Sequence, residues 1–169
     1  MAYGTKRKVF ISYHHRGDQA WFDQFTRLFA EHYEIFYDNS LDGRIRSDDP
    51  EYINRAIREE HIVGSSITIT LCGAETWKRK YVDWEIHSTL HHKHALIGIG
   101  LPTAVRASGG GIIVPNRLHE NIQSGFASWF SSWTNDPAAL RTAMEAAINL
   151  SRDTSKIRND RPKMERNLA

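Results

Sequence analysis

An α/β fold, an open parallel sheet of about five strands with helices on both faces, is predicted by three observations. Short β-branched runs alternate with stretches of helical periodicity, Asp-Pro and Gly signals punctuate them, and the composition leaves room for one core. The chain has 169 residues, 40% hydrophobic and 25% charged. That is long enough for a single domain and too short for two with a linker.

Residues 8–14 (KVFISYH) are rich in Val, Ile, Phe and Tyr and read as the first strand, with the polar turn RGD after it. Trp21, Phe22, Phe25, Leu28 and Phe29 then recur at spacings of three and four, which predicts an amphipathic helix over 19–32. Residues 33–37 (YEIFY) read as a second strand ending in Asp38-Asn39-Ser40. A polar loop stops at Asp49-Pro50-Glu51, where an Asp cap, a first-turn Pro and an acidic residue start a helix striped by Ile53, Ala56 and Ile57, with Gly64 near its end.

Residues 65–71 (SSITITL) are dense in β-branched side chains and predict a central strand. A helix around Glu85 follows, then a fourth strand over 95–101 (ALIGIGL). The stretch from Gly109-Gly110-Gly111 to Gly125 reads as a long loop with one helical turn, and 126–133 (FASWFSSW) as a weaker fifth strand. Asp136-Pro137 opens a last helix striped by Leu140, Met144 and Ile148. Residues 151–169 carry six Lys or Arg with little to bury and predict a polar, flexible tail, leaving 1–150 as the single domain.

The bulk numbers exclude several classes. A net charge of +2 gives no electrostatic footprint for nucleic acid, and no apolar run approaches the roughly 20 residues of a membrane span. The N-terminal stretch has no small-residue cleavage site. The single cysteine, Cys72, excludes an intrachain disulfide and a Cys-based zinc site, which suits a cytoplasmic location. Cys72 is either a nucleophile or, more ordinarily, a small buried strand residue.

In open parallel sheets ligands bind beyond the carboxyl ends of the strands, at the point where strand order reverses. That rule directs attention to 14–18, 38–40, 72–77 and the start of the next helix. On that helix Val82, Ile86 and Leu90 form the stripe that faces the sheet. Tyr81 and Glu85, four apart, share one flank, and His87, His91 and His94 occupy the other. A Glu in the first turns of a helix is ordinarily a solvated residue favoured by the helix dipole; in a cleft it is a catalytic candidate.

Two stretches carry a family resemblance. VFISYHHRGD resembles the opening strand and turn of a TIR domain, and DDPEYINRAIREEHIVGSSITITLCGAETWKRKYVDWEI resembles the TIR-like proteins of the bacterial Thoeris anti-phage defence system. The resemblance implies a flavodoxin-like sheet and cleavage of the nicotinamide–ribose bond of NAD, here a substrate and not a prosthetic group. It further implies a cyclic ADP-ribose-type messenger that activates an effector protein; a homo-oligomer is a separate expectation, and self-association is the function in the non-catalytic reading. It makes Glu85 the catalytic carboxylate. Where the common pattern has Trp four residues and Ser six residues before the glutamate, this chain carries Tyr81 and Arg79.

The chemistry suits a lone carboxylate. Nicotinamide leaves NAD as a neutral molecule, so the general acid of ordinary glycoside hydrolysis has no task here. One carboxylate beside the ribose stabilises the charge that develops at the anomeric carbon. Phe10, Ser12, Tyr13, His14, Arg16, Asn39 and Tyr81 are the substrate-binding candidates, with Arg16 for the diphosphate and aromatic rings for stacking on the bases. About half of residues 10–13 are expected to fill the core instead.

A non-catalytic interaction module is the rival reading. A phosphorelay receiver is disfavoured, because the first and third strands end in SYHHRGD and LCGAE, without its acidic cluster and phosphoacceptor. His87, His91 and His94 have spacing that could hold zinc, but no Cys or Asp joins them on that flank, so the expectation is no metal. The triple glycine lacks the Lys-Ser/Thr of a phosphate loop and reads as a mobile loop. Trp129 and Trp133 serve either an interaction surface or the core.

Overall fold

The β-branched runs pair into one sheet. The strands Arg7–Ser12 (β1), Tyr33–Tyr37 (β2), Ile67–Cys72 (β3), Ala95–Gly100 (β4) and Ser128–Phe130 (β5) lie in the order β2-β1-β3-β4-β5, and every pairing is parallel. This computed structural model describes residues 5–37 and 60–169. The helices are His15–Phe29 (α1), Lys80–His91 (α2), Asn116–Ser124 (α3) and Pro137–Leu150 (α4). The helix start expected at Asp49-Pro50, with Ile53, Ala56 and Ile57, lies outside the described residues; 60–63 is helical, and Ile62 there is buried.

Two apolar layers sandwich the sheet, as the period-two alternation of its strands requires. On one face Val9, Ile11, Ile69 and Ile97 pack with Phe22, Phe25 and Phe29 of α1 and with Leu140 and Met144 of α4. On the other, Cys72 and Leu96 meet Val82, Ile86 and Leu90 of α2 and Leu118 of α3. The expected stripe of α2 is therefore its sheet contact. Those three side chains contribute roughly 1.5–3 kcal/mol each on burial, whereas the N-cap residue Arg79 makes no side-chain cap. Packing, not capping, positions α2. At Gly98 on this face a Cβ would lie 2.8 Å from both Leu118 and Trp129, so the glycine is what lets α3 and β5 close onto β4.

Several boundaries differ from expectation. α1 begins at His15, so the RGD segment is a kinked first turn with Asp18 at φ −123°, ψ 18°. The stretch before Gly125 contains a nine-residue helix, α3, closed by Gly125 in the left-handed conformation at φ 85°. Leu118 and Ile122 at spacing four give it an apolar stripe. The triple glycine is the tip of a small hairpin, where Arg106 pairs with Ile112 and Ala107 N–H donates to Gly111 O at 2.7 Å. Trp129 packs in one apolar layer and Trp133 in the other. Asp136 caps α4 as expected, its Oδ1 accepting from Ala138 N–H at 3.0 Å.

The largest difference lies after Leu150. The polar segment expected to leave the body instead runs across α2 and α3 as a strap. Fully buried Arg117 of α3 donates to both carboxylate oxygens of Asp83 of α2, at 2.9 and 3.2 Å. The same guanidinium reaches Asn159 Oδ1 at 2.9 Å and Pro162 O at 3.2 Å. Asn121 brackets Arg158, donating to its carbonyl at 2.7 Å and accepting its N–H at 2.9 Å. Met164 N–H donates to Asp83 Oδ2 at 2.9 Å, and Trp84 Nε1 donates to Met164 O at 2.7 Å. The strap meets these buried polar groups chiefly through its backbone, with the Asn159 side chain added.

Candidate active site

The chain leaves β1 for β2 on one side and later reaches β3 on the other, so β1 and β3 flank the point where strand order reverses. A cleft of about 300 Å³ opens there, lined by residues that follow β1 and by the start of α2. Five of the candidates line it: Tyr13, His14, Arg16, Tyr81 and Glu85.

Glu85 is 3% exposed, a buried carboxylate on the cleft wall. Its Oε2 accepts a hydrogen bond from Ser12 Oγ, itself fully buried at the end of β1. Further along α2, Glu85 O accepts from Thr89 Oγ1 at 2.8 Å, and Thr89 contacts Thr68 of β3 at 2.7 Å. Val82, Ile86 and Leu90 seat the helix, the threonine pair sets its height, and Ser12 orients the carboxylate. Ser12 therefore lies beneath the cleft, bonded to Glu85, and does not line it.

Phe10 and Tyr13 are placed differently from the expectation. Phe10 is fully buried in the middle of β1 and does not reach the cleft. It shares Ser12's sheet face but lies two residues deeper, about 7 Å along the strand. Tyr13 lines the cleft, yet its ring stacks on His15 at 4.2 Å and on Phe22 at 4.5 Å, and its hydroxyl donates to Gln19 at 2.9 Å. With both faces occupied, Tyr13 offers an edge and no stacking surface. Tyr81 is half-buried; its ring meets Trp84 edge-on at 5.6 Å, and Lys80 Nζ lies over it, 5.2 Å from the centroid. Asn39 and Asp38 lie outside the described residues.

The cleft carries charge of both signs, Arg16 and Arg79 beside the Glu85 carboxylate. Arg79 Nη2 donates to Glu75 at 2.8 Å. Burial, and next the Arg79 charge, lower the His14 pKa below its ordinary value, so its imidazole is neutral at pH 7. Beside the cleft, Asp18 is 2% exposed and accepts from Thr103 Oγ1 at 2.9 Å, while its Oδ2 has no partner among the described residues. Burial raises the Asp18 pKa, with the Thr103 bond opposing. A Cβ at Gly73 would lie 2.1 Å from Asp18 Oδ2, so only glycine admits this carboxyl group.

Cys72 is fully buried, and burial pushes its thiol well above the usual range, which makes it a packing residue and not a nucleophile. His87 and His91 stack 6.5 Å apart on the far flank of α2. Among the described residues no three His, Cys, Asp or Glu converge as a metal site. No described helix is long and apolar enough to cross a membrane.

His15, read with His14 and Arg16 as lying just beyond β1, also lines the cleft; sequence reasoning gave Val82 to the sheet face alone and missed Arg79 and Asn167 as lining residues. Arg79 stood out only as a departure from a family pattern, although its place just before α2 points it at the strand ends. Asn167, from the strap, also lines the cleft. No local signal marks it, since its partner Lys80 is 87 residues away.

Comparison with known proteins places these features in context. The family described as Thoeris protein ThsB, TIR-like domain, matches residues 10–106, a span that contains Ser12, Arg16, Tyr81 and Glu85. No curated protein matches. Among solved structures, the TIR domains of the activated Roq1 resistosome directly recognizing the pathogen effector XopQ are similar at 9% identity and a TM-score of 0.44. That match covers 88% of this chain and 85% of that chain.

Proposed function

The chain belongs to the Thoeris ThsB TIR-like domain family, and from that membership we propose that it is an NAD-processing enzyme of bacterial anti-phage defence. It cleaves the nicotinamide–ribose bond and forms a cyclic ADP-ribose-type signal that activates an effector protein. The observation that carries the reading is the Glu85 carboxylate, buried on the cleft wall, held by Ser12 Oγ, and facing a space that also holds Arg16 and Arg79.

Each group has a task. The arginines attract and hold the diphosphate. Tyr81 supplies the ring face against which a base stacks. As the C–N bond breaks, its electron pair leaves with nicotinamide, which departs neutral, and positive charge appears on the ribose. Glu85, pre-oriented and shielded from water, stabilises that charge and accepts hydrogen bonds from the ribose hydroxyls. Cyclisation follows when the adenine end of the folded-back substrate occupies the position water would take.

The test is nicotinamide release and product mass from purified protein supplied with NAD, alone and with lysate of phage-infected cells. Glu85→Gln is expected to lower turnover by at least a hundredfold, the scale of losing one charge-stabilising group. If wild type leaves NAD intact under both conditions, the enzymatic reading fails and the chain is an interaction module. If Glu85→Gln matches an active wild type, the carboxylate assignment fails alone.

A further inference from the structure

The strap ends where chemistry is proposed. Beyond Met164, Asn167 Oδ1 accepts the N–H of Lys80, the first residue of α2, at 2.9 Å, and Leu168 N–H donates to Lys78 O at 2.9 Å. Lys80 N–H is one of the helix-start donors that have no acceptor within the helix itself, and Asn167 supplies the acceptor that the N-cap residue Arg79 does not. A backbone N–H needs an oxygen, so this bond fixes which end of the amide faces α2. The other end, Nδ2 with two donor hydrogens, makes no hydrogen bond to a described residue, and Asn167 lines the same cleft as Glu85, Tyr81 and Arg79.

We propose that Asn167 is a substrate-binding residue of the cleft, donating from Nδ2 to an acceptor oxygen of NAD while its Oδ1 caps the helix that carries Glu85. The inference rests on the NAD reading. It assigns the strap a purpose beyond covering α2 and α3: the buried Arg117–Asp83 pair, the Asn121 bracket and the Trp84–Met164 bond fix the strap's course. Together they bring a residue from the far end of the chain to the active cleft. A neutral donor suits this wall, because Arg16 and Arg79 already provide the charge for the diphosphate.

Two substitutions separate the roles of the amide. Asn167→Asp keeps an acceptor for Lys80 N–H but removes the donor; Asn167→Ala removes both without adding charge. In the full chain, with lysate of infected cells supplied, both are expected to raise KM for NAD about fivefold to tenfold, while kcat falls less, the scale of one hydrogen bond. Thermal stability is expected to fall in Asn167→Ala only. In a Glu85→Gln background, calorimetry is expected to show the same weakening of NAD binding without turnover.

A raised KM in Asn167→Ala alone makes Asn167 a helix cap, and one in Asn167→Asp alone reports charge repulsion; either result overturns the proposal. Unchanged KM in both variants of an active enzyme overturns it while the NAD reading stands. A wild type that neither binds nor consumes NAD overturns the NAD reading, and this inference with it.

Discussion

Glu85 and Ser12 come from segments 73 residues apart, and their hydrogen bond is the contact on which the proposed chemistry depends. Ser12→Ala removes the donor that holds the carboxylate. A hydrogen bond to a charged group contributes about 1.5–3 kcal/mol, so nicotinamide release is expected to fall roughly tenfold to a hundredfold. KM should change little, since Ser12 lies below the cleft and touches no substrate. An unchanged rate would show that Glu85 is held by packing alone. Helical periodicity placed Glu85 beside Tyr81 on the flank of a buried stripe, and the resemblance to TIR domains is what singled it out as the catalytic candidate. The place of Phe10 was not legible, because alternation along a strand tells which face a side chain takes but not how deep it sits. The stacking of Tyr13 between His15 and Phe22 likewise needed the geometry of α1 against β1.

At the scale of elements, α2 is the hinge of the site: its apolar stripe faces the sheet, Glu85 faces the cleft, and Asp83 faces α3 and the strap. The Arg117–Asp83 pair is almost wholly buried, so removing one partner leaves an uncompensated charge. Arg117→Met is expected to destabilise the protein by about 3–5 kcal/mol, and Arg117→Met with Asp83→Leu to recover much of that. Urea unfolding of the three proteins tests this; equal losses in the single and double variants would mean that the strap's other bonds dominate. The strands and α4 were legible from periodicity and an Asp-Pro cap. The short helix α3 was not recognised, because its stripe is brief and its buried face also carries Arg117 and Asn121, polar residues that read as a loop.

For the whole molecule, the buried carboxyl group of Asp18 ties stability to pH. Burial raises its pKa above the ordinary 3.8, so as pH rises through that value the unfolded chain loses the proton first. The native state retains it longer, and stability declines until the native group has also ionised. Asp18→Asn removes this decline. The difference in unfolding free energy between variant and wild type, measured from pH 3 to pH 7, is expected to grow with pH in favour of the variant. His14 and every other shared group cancel in that difference, and a flat difference would show that ionised Asp18 is not penalised. The amino-acid sequence by itself determined the α/β class, the order of the five strands, and the place of Glu85 on the flank of α2's buried stripe. It could do so because periodicity and capping act between residues a few positions apart. Only the tertiary structure decided that the polar C-terminal segment is a strap, that Ser12 serves Glu85, and that Asn167 reaches the cleft. Buried polar groups take whichever partners the folded backbone brings within reach, and no local pattern encodes a partner 87 residues away.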